Sequence, residues 1–317
     1  MKLNKKALEF SFSWIFALMV GAVIIFLAVY FASQFVKTSQ LRQDTELGKE
    51  LGIILTPIET NLETGKITKI SMPQEARIFN ECISNEGTFG KQKISISTKN
   101  LKDEWPKPGF PSSFNNKYIF SSEVVEGKNF FVFSKPLQIP FKVADLIYIW
   151  PVSEEYCFIN PPNEIEEEIT DLRLNITIAF SASECSRDSK KVCFASSGCD
   201  IDISLDSGQL KGSLKKKFSE RVYFDGSTLL YASIFSDSPV YECQLKRLMK
   251  RTSELSWLYY SKSAFLSPKG CSSNLEIELS SYANKTFSLN HSLSLRDISL
   301  DSQNIRRKND GLSCKLF

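Results

Sequence analysis

The sequence predicts an α+β protein: a single amino-terminal transmembrane helix followed by a strand-rich extracytoplasmic domain with one long amphipathic helix. Three observations predict it. Residues 10–36, FSFSWIFALMVGAVIIFLAVYFASQFV, carry no charge. Beyond residue 58, short stretches alternate apolar and polar side chains, as half-buried strands do. Between 241 and 262, Leu245, Leu248, Met249, Thr252, Leu255 and Tyr259 recur at three and four residues, the period of a helix with one apolar face.

As a helix, the uncharged run is about 40 Å long, more than the ~30 Å hydrocarbon core of a bilayer. Lipid offers the backbone no hydrogen-bond partners, so a single spanning segment has to be helical. The chain then divides into a short cytoplasmic start (1–9), the transmembrane helix (10–36), a helical stalk (37–56), a strand-rich subdomain (57–160) and a mixed subdomain (161–317). Pro57 is expected to stop the stalk.

The ectodomain follows in order. GKITKIS (65–71) and KQKISIST (91–98) read as strands, and 72–82 as strand or short helix. WPKPGFP (105–111) is a loop by its prolines and glycine. KYIFSSEVV (117–125) and NFFVFSK (129–135) read as a hairpin turning at Glu126-Gly127-Lys128. FKVADLIYIWP (141–151), apolar on both faces, belongs inside a sheet. Residues 156–159 add a strand before Pro161-Pro162, and Asn163 caps the acidic helix EIEEEITDL. LNITIAF (174–180) and DIDISL (200–205) are strands, VYFDGSTLLYASIF (222–235) a hairpin around Asp225-Gly226, and the tail segments NLEIELSSY and FSLNHSLSL strands. On the helix over 241–262, Lys246, Arg247, Lys250 and Arg251 are expected to cover the solvated face.

Composition bounds function. The net charge is +3, of which Lys2, Lys5, Lys6 and Glu9 put +2 in the first 36 residues. A near-neutral ectodomain gives no reason to expect nucleic acid as a partner. The single histidine, His291, stands near no nucleophile motif, and one histidine excludes zinc sites built on two or three. The eight cysteines, Cys82, Cys157, Cys185, Cys193, Cys199, Cys243, Cys271 and Cys314, all follow the anchor and contain no CxxC pair. An even set suggests structural disulfides outside the cytoplasm, with a pairing that spacing does not reveal; Cys185, Cys193 and Cys199 are close enough to close a local loop. The charges flanking the anchor nearly balance, Lys2, Lys5 and Lys6 before it and Lys37, Arg42 and Lys49 after it, so the cysteines decide the side. Sequons at Asn175, Asn284 and Asn290 are compatible with export.

Candidate sites read mostly as surface. Glu164, Glu166, Glu167 and Glu168 share one short helix instead of facing each other across a cleft. Asp200, Asp202 and Asp206 lack the glycine and distal glutamate of an EF-hand loop. Lys211, Lys215, Lys216 and Lys217 read as a solvated run or a charged edge strand, and Phe130, Phe131 and Phe133 as core. No segment carries a catalytic signature, so a non-enzymatic role without cofactor is expected.

The amino terminus carries a resemblance. Lys5 and Lys6, Glu9 entering the apolar run, and the run itself from Phe10 to residue 36 resemble archaeal type IV pilin-like proteins with class III signal peptides. In that family a peptidase cuts just before the apolar helix, and a glutamate five residues on offsets a neighbouring subunit's terminal amine. Cleavage after Asn4 would make Glu9 that fifth residue, with Asn4 where the family has Gly or Ala; cleavage after Ala7 would make it the second. The alternative for Lys5, Lys6 and Glu9 is the headgroup boundary of a plain signal anchor. The sequence thus points to a single-pass cell-membrane protein with a structural or adhesive ectodomain, partnered by the bilayer and by copies of itself or other envelope proteins through the anchor. Two alternatives stay open: a ligand- or partner-binding ectodomain, active as a soluble fragment 51–317, and a tethered hydrolase using distant acids such as Asp145 and Asp202.

Overall fold

The computed structural model describes residues 12–59, 68–100, 102–171, 174, 176–194, 196–206 and 209–317. Helix α1 (Phe12–Glu59) is continuous from the apolar run into the stalk. It passes through Pro57 instead of stopping there. The proline forfeits only the hydrogen bond to Ile53, whose side of the helix is exposed.

The first sheet contains β1 (Thr68–Ile83), β2 (Lys91–Thr98), β3 (Ser112–Phe114), β4 (Ile119–Phe120), β5 (Val124–Gln138) and β6 (Lys142–Pro151), in the order β3-β2-β1-β5-β6-β4. Segment 72–82 is strand, with a register shift between Ser71 and Ala76. Pro73 lies in that bulge, where its missing N–H costs no ladder bond. The hairpin expected at Glu126-Gly127-Lys128 does not form. β5 runs straight through, with Gly127 opposite Ala76 of β1, because long-range pairing outweighs a local turn preference. Segment 117–125 instead supplies β4, which lies parallel to β6. The sheet curls until β4 meets β1: Asn80 donates to the Ser121 hydroxyl at 2.8 Å.

The second sheet contains β7 (Tyr156–Ile159), β8 (Ile176–Ala179), β9 (Lys190–Cys193), β10 (Ile201–Leu205), β11 (Lys211–Lys216) and β12 (Val222–Asp225), in the order β12-β11-β10-β9-β7-β8. β7 to β10 are parallel. Helix α2 (Asn163–Asp171) is the crossover from β7 to β8 and buries Ile165 and Ile169.

Two expectations for the second half are overturned. Residues 222–235 are β12 followed by helix α3 (Gly226–Phe235), not a hairpin. Asp225-Gly226 is a strand-to-helix junction, with Gly226 at φ +79°, a backbone that glycine adopts without strain. The tail is helical, α5 (Glu276–Phe287) and α6 (Leu295–Asp310). Leu279, Tyr282, Ala283 and Thr286 are buried on α5, as are Leu295, Ile298, Ser302 and Ile305 on α6; their spacing is the helical one that the alternating polar residues obscure. Helix α4 (Ser238–Leu266) forms where the periodicity predicts it, and extends further at both ends.

Two cores result. The larger packs the aromatic face of the first sheet on α3, α4 and the second sheet, with Trp150 stacked on Phe235 at 4.5 Å and Phe133 on Tyr148 at 4.4 Å. The smaller fills the opposite face of the first sheet and is closed by Leu51 and Leu55 of α1. All eight cysteines are paired: Cys82–Cys243, Cys157–Cys185, Cys193–Cys199 and Cys271–Cys314. Cys193–Cys199 is the local closure expected of that cluster, while Cys185 reaches back to β7.

Candidate functional site: the amino-terminal helix and its socket

Helix α1 has two halves of opposite character. Along the first, Trp14, Phe16, Ile24, Phe26, Phe31 and Phe35 are exposed on every side of the helix. Among the described residues this is the one helix long and apolar enough to cross a membrane. The second half, from Gln40 to Thr56, is amphipathic and docked. Arg42, Glu46, Lys49 and Glu50 face out, and Asp44, Gly48, Leu51, Gly52 and Leu55 face the first sheet.

The socket is built by β2, β3 and the proline-rich loop over 102–111. Gln40 donates to the Thr98 carbonyl at 2.9 Å. Asp44, fully buried, accepts from the Thr98 amide at 3.2 Å and its hydroxyl at 2.6 Å. Among the described residues its second oxygen has no hydrogen-bond partner. Burial pushes the Asp44 carboxyl up from its ordinary value, against the pull of the two Thr98 bonds. On the next residue, the Thr45 hydroxyl accepts from the Phe110 amide at 3.0 Å. A Cβ on Gly109 would stand 2.5 Å from the Thr45 nitrogen and 2.7 Å from the Asp44 carbonyl carbon, so only glycine lets the loop close on the helix. Gly52 brings the helix down onto β3, since a Cβ there would meet the Phe114 ring at 2.2 Å; Gly48, one turn before, faces the Ile94 carbonyl, where a Cβ would stand at an ordinary 3.7 Å. Lys117 donates to the Thr56 hydroxyl at 3.0 Å and closes the far end.

On the sheet's other end α4 is stapled by side chains. Arg247 is fully buried, contrary to its expected place on a solvated face. Its Nε donates to the Phe89 carbonyl at 3.0 Å, Nη1 to the Lys117 carbonyl at 2.9 Å and Gln244 Oε1 at 2.7 Å, and Nη2 to the Asn115 carbonyl at 3.0 Å. The ring of Tyr118 lies 4.8 Å away. Burial lowers the guanidinium to about 10, so it stays charged at neutral pH. Gln244 also reaches Gln92 and the Ile119 carbonyl, and Cys82–Cys243 adds a covalent link.

The remaining predicted groups fall in separate places. Lys5, Lys6, Glu9 and the Asn175 sequon lie outside the described residues; Asn284 and Asn290 are exposed. Glu168 pairs with Lys135 at the base of α2. Asp200 accepts from the Lys191 amide and pairs with Lys217 at 2.7 Å; Asp202 accepts from the amides of Gly198 and Cys199; Asp206 pairs with Arg296. Asp202 also neighbours Cys193 and Cys199, but those sulfurs are bonded to each other, which removes them as thiolate ligands. Lys216 departs from the solvated run: it is largely buried, donates to the carbonyls of Ile234 and Ser236, and is lowered to about 8 by burial. It thereby caps the carboxyl end of α3. His291 Nδ1 accepts from the Leu293 amide at 3.3 Å and stands 3.5 Å from Glu242. Asp145 is buried beside Lys142 in the first sheet, whereas Asp202 belongs to the second. Phe130 and Phe133 are core, with Phe131 packed at its margin.

The sequence reading missed the socket. Its signal was Asp44, Gly48 and Gly52 at four-residue spacing, a small-residue stripe at helical period behind a single acid. Comparison with protein-family models, curated proteins and solved structures finds no match for the chain.

Proposed function

We propose that the chain is a structural subunit of the cell envelope, held by α1 in the membrane with its disulfide-bonded domain on the extracytoplasmic side, and assembling with copies of itself through the apolar half of that helix. One observation carries the reading: α1 is a single unbroken helix, exposed and apolar over its first half and locked into the domain over its second. A binding module or enzyme needs only a tether, and flexible linkers supply one. A subunit whose domains must register with each other needs a rigid coupling between the helices that pack and the domains they carry. Gln40, Asp44, Thr45 and Gly109 make that coupling at the point where the apolar half begins. Four disulfides support an oxidising compartment for the domain.

The test is protein extracted from its native membrane in mild detergent without reductant, measured by intact mass and by electron microscopy. Expected are a mass lacking the first four to seven residues, lighter again by the hydrogens of four disulfides, and particles holding several copies. A full-length mass with monomeric particles would overturn assembly, and a fully reduced mass would overturn the extracytoplasmic side.

A further inference from the structure

Strand β12 separates two surfaces of opposite charge. Segment 215–221, which leads into it, holds four basic residues and one acid, and helix α2, over 163–171, holds five acids and no base. The two lie at opposite ends of the strand. Phe218 comes four residues before Val222, the first of β12, and Ser227 two residues after Asp225, the last. The Lys135 ammonium donates both to that Ser227 hydroxyl and to Glu168 of α2. About 13 Å of strand, four residues at 3.3 Å each, thus stands between the basic turn and the acidic helix, and among the described residues no ion pair joins them.

The turn holds an aromatic ring out to solvent. The Ser219 amide donates to the Lys216 carbonyl at 3.3 Å and closes a turn with Phe218 in its third place, at φ +60°. Turns give such a place to glycine or asparagine, because a β-carbon is strained there. The Phe218 side chain is fully exposed. Lys216 reaches inward to α3, and Lys217 pairs with Asp200. Lys215 and Arg221 are exposed, and among the described residues neither has a carboxylate within ion-pairing distance. The acidic end has matching parts. Glu164, Glu166 and Glu167 are exposed, and among the described residues no cation pairs with them. Phe180, 81 % exposed, lies at the entry to α2, its carbonyl accepting from the Asn160 side chain at 3.0 Å.

We propose that the Phe218 turn of one copy docks on the α2 end of the next, with Phe218 against Phe180 and with Lys215 and Arg221 over Glu164, Glu166 and Glu167. The inference rests on the proposed assembly through α1 and names the contact that the assembled domains make. The occupant is a second copy because the chain carries both halves of a complementary pair, each an apolar centre with a charged rim, the rims opposite in sign. A contact between two different surfaces is head-to-tail: each copy offers its turn to one neighbour and its α2 to another, and the row extends. The patch is small for a dimer of free molecules. Anchors that confine the copies to one bilayer raise their effective concentration, and a weak contact is then enough to set their spacing.

The test is the full chain reconstituted in phosphatidylcholine bilayers with the photocrosslinker benzoylphenylalanine in place of Phe218. Irradiation should join that position to peptides holding Phe180 or α2 of another copy, and yield a ladder of dimers, trimers and longer rows. Lys215→Glu with Arg221→Glu should cut the crosslinked fraction several-fold. Adding Glu166→Lys with Glu167→Lys to the same chain should restore it; all four side chains are exposed, so the fold is not at stake. No crosslink, crosslinks to lipid or to the Phe218 turn of a second copy, or a yield indifferent to the charge changes would overturn the head-to-tail contact. Particles that still hold several copies would then leave assembly through α1 standing, whereas monomeric particles overturn both.

Discussion

Asp44 brings a carboxylate to the junction of helix and sheet, where, among the described residues, Thr98 alone answers it. Its second oxygen is buried without a partner, and a buried polar group left unsatisfied costs about 1–3 kcal/mol. Because burial holds its folded-state pKa above the ordinary 3.8, the folded chain takes up this proton at a higher pH than the unfolded chain. The contribution of Asp44 to stability therefore rises as pH falls through the folded value, and levels off below 3.8, where both states are protonated. Asp44→Asn keeps an oxygen facing Thr98 and removes the charge. In thermal unfolding of the full chain in detergent, the variant should be the more stable at pH 7, by on the order of 1 kcal/mol, with the gap closing in acid. A gap that does not change with pH would mean that Asp44 is not buried as an acid. Arg247 shows the complementary case. A basic run on a helix reads as solvated, yet the three backbone carbonyls around Arg247 come from residues more than a hundred positions away, and nothing near it in sequence announces them.

At the scale of elements, periodicity carried the reading where it was long and failed where local chemistry stood in for it. The uncharged run and the spacing over 241–262 locate α1 and α4 because several turns repeat one pattern. Glu126-Gly127 and Asp225-Gly226 are ordinary turn signals, yet neither closes a hairpin. In β5 the pairing with β1 continues across the glycine, and at Gly226 the chain leaves a strand for a helix. The docked half of α1 escaped for another reason: its burial depends on a loop over 102–111 that folds back on it from far along the chain. That loop closes through Gly109, which leads to a specific expectation. Gly109→Ala puts a methyl group against the backbone of Asp44 and Thr45, atoms that cannot swing aside, and overpacking of this kind costs about 1–3 kcal/mol. Amide hydrogen exchange should speed up over 40–56 and in the loop, and stay unchanged in α5 and α6. Unchanged exchange over 40–56 would show that the helix is held without the loop.

For the whole molecule, α1 is both the element that leaves the domain and one wall of it. Leu51 and Leu55 close the smaller core over Ile94, Ile96, Val132, Ile147 and Ile149, while the larger core on the sheet's other face is closed by α3, α4 and the second sheet. The division into anchor, stalk and ectodomain therefore describes composition better than cohesion. A soluble fragment starting at residue 51, natural from the sequence alone, would cut away Asp44 and Gly48 and leave Leu51 on a frayed end. The structure places the practical boundary near residue 38, after the exposed apolar half and before Gln40. Fragment 38–317 should be soluble and cooperative in thermal unfolding, with its four disulfides formed. Fragment 57–317 keeps every disulfide but uncovers the apolar face under α1, and removing two buried leucines from such a site costs several kcal/mol, at about 2–5 for each leucine truncated to alanine. It should bind a hydrophobic dye and aggregate, and a synthetic peptide of residues 38–59 added during refolding should restore solubility, since the socket survives in the fragment. If fragment 57–317 were as soluble and as stable as fragment 38–317, the second half of α1 would be a stalk after all, and the rigid coupling on which assembly depends would be lost.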